Sequence, residues 1–119
     1  MNNPAPGNTA IEKYRHDLEV IRNTALQVIK DFELLGIEIT FSGNEHSAYE
    51  ELKAQIIPAL TNLYKEKYST FNELLYRIDV NENKVQQILR NSSKENQAEE
   101  LSKLVLEREF IKVLLKKLY

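Results

Sequence analysis

The chain contains no cysteine, which removes disulfide frameworks, thiolate nucleophiles and cysteine-based zinc or iron–sulfur sites, and fits a reducing compartment. Glycine and proline number three each, and Pro4 and Pro6 lie close together at the start, so long stretches suited to helices run uninterrupted. No glycine-rich phosphate loop and no Gly-x-Ser-x-Gly elbow occurs. The two histidines, His16 and His46, are not in the Glu-x-x-His arrangement that di-iron bundles take from two helices, which excludes an oxygen-activating di-iron centre. No apolar run approaches the roughly 18 residues that span a bilayer, and the first residues lack the basic start and apolar stretch of a secretory signal. Charge of one sign is missing as well: 16 basic and 18 acidic residues are scattered along the chain, net −2, so no block advertises a polyanion or an anionic membrane surface. These absences predict a cytoplasmic protein with no metal, no cofactor, no membrane contact and no catalytic residue.

What is present is helical periodicity. At 119 residues, 42% of them apolar, the chain is long enough for one core, so a single helical-bundle domain is expected over 9–119 after a disordered leader over 1–8. Ile11, Tyr14, Leu18, Ile21, Ala25, Val28, Phe32 and Leu35 step by three and four, which predicts one long helix closed by Gly36. Thr9 with Glu12 has the spacing of a capping box that would start it. Ile37, Ile39 and Phe41 alternate with polar residues and predict a short extended apolar strip. A chain this size has little to spare for covering it, which marks the strip as a candidate interaction surface for a protein partner or a second copy.

Ser47 with Glu50 repeats the capping spacing and opens a second apolar face, with Pro58 inside it expected to kink or split the helix. Further starts are expected at Ser69-Thr70 and at Asp79 with Glu82, followed by a loop at Asn91-Ser92-Ser93 and a last helix with Leu101, Leu104, Val105, Ile111, Leu115 and Leu118 inward. The fold predicted is therefore an all-α, up-and-down helical bundle of four to five helices.

Several local patterns suggest chemistry, and most have a plainer account. His16 lies between Glu12 and Glu19 on one helix surface, but that surface points to water; His46 beside Glu45 reads as a solvated loop residue. Asp79-Val80-Asn81-Glu82-Asn83 opens like a calcium loop, yet Lys84 and Arg90 occupy the positions that need glycine and glutamate. Asn91-Ser92-Ser93 is a polar turn, and the lysines near the C-terminus complement a helix dipole. Residues 73–90 have helix-turn-helix spacing, with Asn83, Lys84, Gln86, Gln87 and Arg90 as the groove-facing candidates of a DNA-binding regulator. Against that stand bulky Leu75, Asp79 in place of a turn glycine, and zero net charge, since Arg77, Lys84 and Arg90 balance Glu73, Asp79 and Glu82.

Arg108 occupies an inward slot of the last seam, so its guanidinium needs carboxylates. Asp79, Glu82 and Glu107 are the candidates, with Asp79 favoured as a structural staple. The words Leu74-Leu75-Tyr76-Arg77-Ile78-Asp79-Val80-Asn81-Glu82 and Leu106-Glu107-Arg108-Glu109-Phe110-Ile111-Lys112 resemble a group of short uncharacterised bacterial helical proteins, a likeness that implies an all-helical cytoplasmic protein and no activity. The function expected is that of a non-catalytic interaction or accessory module.

Overall fold

A computed structural model describes residues 8–119, with the side chains described from Ile11 onward. Among the described residues there are six α-helices, one 3-10 turn and no strand, so the protein is an all-α helical bundle. The leader expected over 1–8 lies outside the described residues except for Asn8, which is already helical.

The long first helix is broken in two. α1 spans Asn8–Tyr14 and α2 spans Leu18–Glu33. Between them the Asp17 carboxylate accepts from the amides of Glu19 and Val20 at 3.0 and 3.2 Å, which caps a new helix instead of continuing the old one. The break also resets the register. Val20 turns inward at 1% exposure while Leu18, assigned to the seam, is 43% exposed. Ala25, Val28 and Phe32 hold the expected face. At the end of α2, Gly36 adopts φ +79°, while Ile37 and Gly36 donate to the Phe32 and Glu33 carbonyls at 3.0 and 2.9 Å. That paired closure needs a left-handed residue, which glycine supplies without strain.

Residues 37–41 form an extended segment stitched to the next helix by side chains. Gln55 accepts from the Thr40 amide and donates to the Thr40 carbonyl, both at 2.8 Å, imitating a strand partner. Ile39 is buried and Ile37 and Phe41 are half-buried against the main core. The strip is therefore packed in part on its own chain, with one edge of Ile37 and Phe41 left open.

α3 runs from Ala48 to Glu66 after a 3-10 turn over Glu45–Ser47. Ser47 makes no capping bond; its hydroxyl donates instead to the Glu51 carboxylate. The helix passes through Pro58 without being split. Pro58 and Ala54, whose carbonyl loses its usual donor, are both exposed, so water can satisfy the orphan. Leu52, Ile56, Leu60 and Leu63 face inward.

α4, Tyr68–Ile78, buries Phe71, Leu74, Leu75 and Ile78, and ends on Asp79 in the left-handed region, φ 68° and ψ 44°. Asp79 therefore closes α4 and does not open the following helix, as its spacing to Glu82 suggests. The cap of α5, Glu82–Asn91, is Asn81, which accepts from the Lys84 amide at 3.1 Å. α6, Lys94–Leu118, touches every other helix and packs mainly on α2 and α3. The main core gathers residues of α2 to α6 around it, and a smaller cluster of Ile11, Val20, Phe110, Val113 and Leu114 docks α1 on its C-terminal half. No described helix is long and apolar enough to cross a membrane.

Candidate functional site

The predicted staple forms. Arg108 Nη2 donates to Asp79 Oδ2 at 2.9 Å, with Asp79 largely exposed and Arg108 half-buried. Glu107 is engaged elsewhere, holding Arg15 through two bonds of 2.9 and 3.1 Å, and Glu82 is exposed with no bond to Arg108. The register behind the prediction is nevertheless off by one residue. The inward slot of α6 belongs to Glu109, which is fully buried, while Leu104 and Ile111 are half-buried and Leu118 is exposed.

Glu109 is part of a polar junction that the sequence reading missed. Asp31 on α2 is 4% exposed and Glu109 on α6 is 0% exposed. Lys112, one turn along α6, places Nζ 3.1 Å from Asp31 Oδ2 and 2.9 Å from Glu109 Oε1, and donates to the Ile78 carbonyl at the end of α4 at 3.3 Å. Gln27 donates to the other Asp31 oxygen at 3.1 Å. The ammonium lies against Glu109 Oε1 without being well aligned on it, and neither buried Glu109 oxygen has an aligned hydrogen-bond donor of its own. Burial pushes the Glu109 carboxyl up to about 8, neighbouring Asp31 adds to the rise, and Lys112 opposes it. Burial also works to raise Asp31, but hydrogen bonding with Glu109, Lys112 and Gln27 outweighs it and holds Asp31 below the usual range. The two neighbouring acids are thus pushed in opposite directions. The clue available beforehand was the pair Glu109 and Lys112 inside the apolar run from Leu104 to Leu115.

A second feature is open. A groove of about 1210 Å³ lies between the start of α2, the start of α3, α5 and α6. Ile21, Leu52, Leu104 and Leu106 line it, and two large exposed side chains, Leu18 and Tyr49, stand on it. His16 and His46, far apart in sequence, both face this groove and are exposed. Among the described residues no group of three or more histidines, aspartates and glutamates is placed to hold a metal. Four of the five carboxylates of the groove are paired with cations, Glu12 and Glu107 with Arg15, Glu45 with Arg22, and Glu99 with Lys53 and Lys103, and the fifth, Glu100, accepts from the Ser92 hydroxyl at 2.8 Å. Asp31, Glu109 and Lys112 do not line it.

The helix-turn-helix spacing over residues 73–90 corresponds to α4, a turn and α5. The outer residues Asn83, Lys84, Gln86, Gln87 and Arg90 are all exposed, but Lys84 and Gln87 form part of the groove wall. α5 is therefore a flank of a concavity, not a helix standing clear of the bundle. No family model, curated protein or solved structure matches this chain.

Proposed function

We propose that the protein is a non-catalytic helical module that receives an apolar-faced helix of a protein partner in the groove between α2, α3, α5 and α6. The observation that supports this reading is the exposure of Leu18 and Tyr49 on a concave surface already lined by Ile21, Leu52 and Leu104. Large apolar side chains around a groove are what a helix-in-groove interaction uses, with every third or fourth partner residue as an anchor. At about 1210 Å³ the groove is also larger than the range of roughly 300–1,000 Å³ typical of small-molecule sites. Catalysis finds little support in it, because four of the five groove carboxylates are paired with neighbouring cations and the one acid with a strongly raised affinity for its proton lies outside it.

The reading is tested by affinity capture from the native cell with three baits: the unaltered protein, Leu18→Glu, and Leu34→Glu. Leu34 is 54% exposed and lies outside the groove, so it controls for general surface change. A partner retained by the unaltered protein and by Leu34→Glu, and lost from Leu18→Glu, is the expected result. The same set of proteins on all three baits would sink the groove as the binding surface.

A further inference from the structure

We propose that Asp31 and Glu109 share a single proton, and that this proton latches α2 and the end of α4 onto α6, so that the junction loosens as pH rises through neutrality. As a carboxylate, fully buried Glu109 has beside it only the Lys112 ammonium, 2.9 Å from Oε1 and shared with Asp31 and the Ile78 carbonyl, and a buried ion so thinly compensated is strongly disfavoured. As a carboxylic acid, Glu109 can donate its own O–H to Asp31, and the unmet acceptor becomes a met donor. Asp31 already receives Gln27 at one oxygen and Lys112 at the other, so it is the better-solvated anion of the pair and the natural acceptor.

Charge counting gives the same answer. The charged groups acting on Glu109 are Asp31 from α2 and Lys112 from α6; α4 contributes the Ile78 carbonyl, while its neighbour Asp79 is taken up by Arg108. With one proton retained, Asp31 and Lys112 cancel. With it lost, two buried anions face one ammonium, which is also shared with a helix-end carbonyl. Two buried carboxyl groups held on one ammonium cannot both ionise cheaply.

The sign follows from linkage. Glu109 holds its proton more tightly folded than unfolded, with a folded value near 8, so the folded state binds the extra proton between the ordinary carboxylate range and that value. Closure is favoured at the acid end of this window, weakens across it and levels off above it. One proton corresponds to at most about a tenfold rise in the opening constant per pH unit.

The test is denaturant unfolding and amide exchange of the full chain between about pH 5.5 and 9, for the unaltered protein and for Glu109→Gln. Glutamine is neutral at every pH and can donate to Asp31 through its amide. The expected result is a severalfold rise in the opening constant per pH unit in the unaltered protein, its absence in Glu109→Gln, and slower exchange of α2 and α6 amides in the variant at the alkaline end. Any pH dependence common to both proteins cancels in the difference. An identical slope in the variant would overturn the proposal. Should Glu109→Gln fail to fold, carbon-13 NMR of the glutamate carboxyl groups in the unaltered chain decides. One carboxyl titrating near neutrality or above supports the latch, and all titrating in the ordinary acidic range refutes it.

Discussion

Asp79 carries two opposed effects on one residue. Its backbone sits at φ 68°, a conformation that costs an L residue roughly 1 kcal/mol or somewhat more and costs glycine nothing. Its side chain meets Arg108 at 2.9 Å, but at 77% exposure the pair is solvent-screened and contributes at most about 1 kcal/mol. Aspartate also tolerates the left-handed region better than most side chains. Asp79→Gly should therefore leave stability within about 0.5 kcal/mol of the unaltered protein, backbone relief offsetting the lost ion pair and the extra freedom of glycine in the unfolded chain. Asp79→Ala keeps the strain and loses the pair, and should cost about 1–2 kcal/mol. Urea unfolding of the two variants separates the cases: if alanine is as good as glycine, the turn is not set by the left-handed residue.

Among the elements, the break between α1 and α2 is the sharpest test of local against global signals. Ile11, Tyr14, Leu18 and Ile21 continue a perfect heptad across it, yet Asp17 takes two backbone amides and ends the continuity. An aspartate at a helix start satisfies amides that the first helical turn leaves without a partner, worth about 1 kcal/mol. Asp17→Ala is expected to lose about that much in urea unfolding. An unchanged midpoint would mean that packing of Val20 alone fixes the break. The same contrast explains what the sequence made legible. Gly36 announced its helix end because few residues besides glycine suit that closure, and Arg108 announced a partner because a charge interrupts an apolar run. The register of α6 was not legible, since a helix that contacts every other helix is apolar on several faces and offers more than one acceptable seam. For the same reason the inward place of Glu109 and Lys112 could not be counted from the spacing of the apolar residues. Asp31 stood one position off the counted seam beside Phe32, and only the tertiary meeting of α2, α4 and α6 joins it to them.

At the scale of the whole molecule the two apolar clusters divide the bundle unequally. The larger one ties α2 through α6 together, whereas α1 belongs only to the smaller one, through Ile11 and the half-buried Tyr14. A helix of seven residues has no stability of its own in water, so α1 persists only while docked. Part of that docking is Arg15, whose guanidinium forms a two-pronged pair with Glu107 and lies 4.9 Å above the Phe110 ring. Both partners are more than a third exposed, so screening limits the pair to about 1 kcal/mol, with a comparable upper bound for the cation over the ring. α1 should then open on its own, well before the main core. In native-state hydrogen exchange the α1 amides are expected to exchange by a route insensitive to low denaturant. Arg15→Ala should speed that route by roughly fivefold, the factor equivalent to about 1 kcal/mol, and leave the amides of Ala25, Leu60 and Leu74 unchanged. Because Arg15 and His16 also face the groove, the same opening would reshape one wall of it while the polar junction of Asp31, Glu109 and Lys112 stays closed. Equal acceleration at all of these amides would instead make α1 an integral part of one cooperative unit.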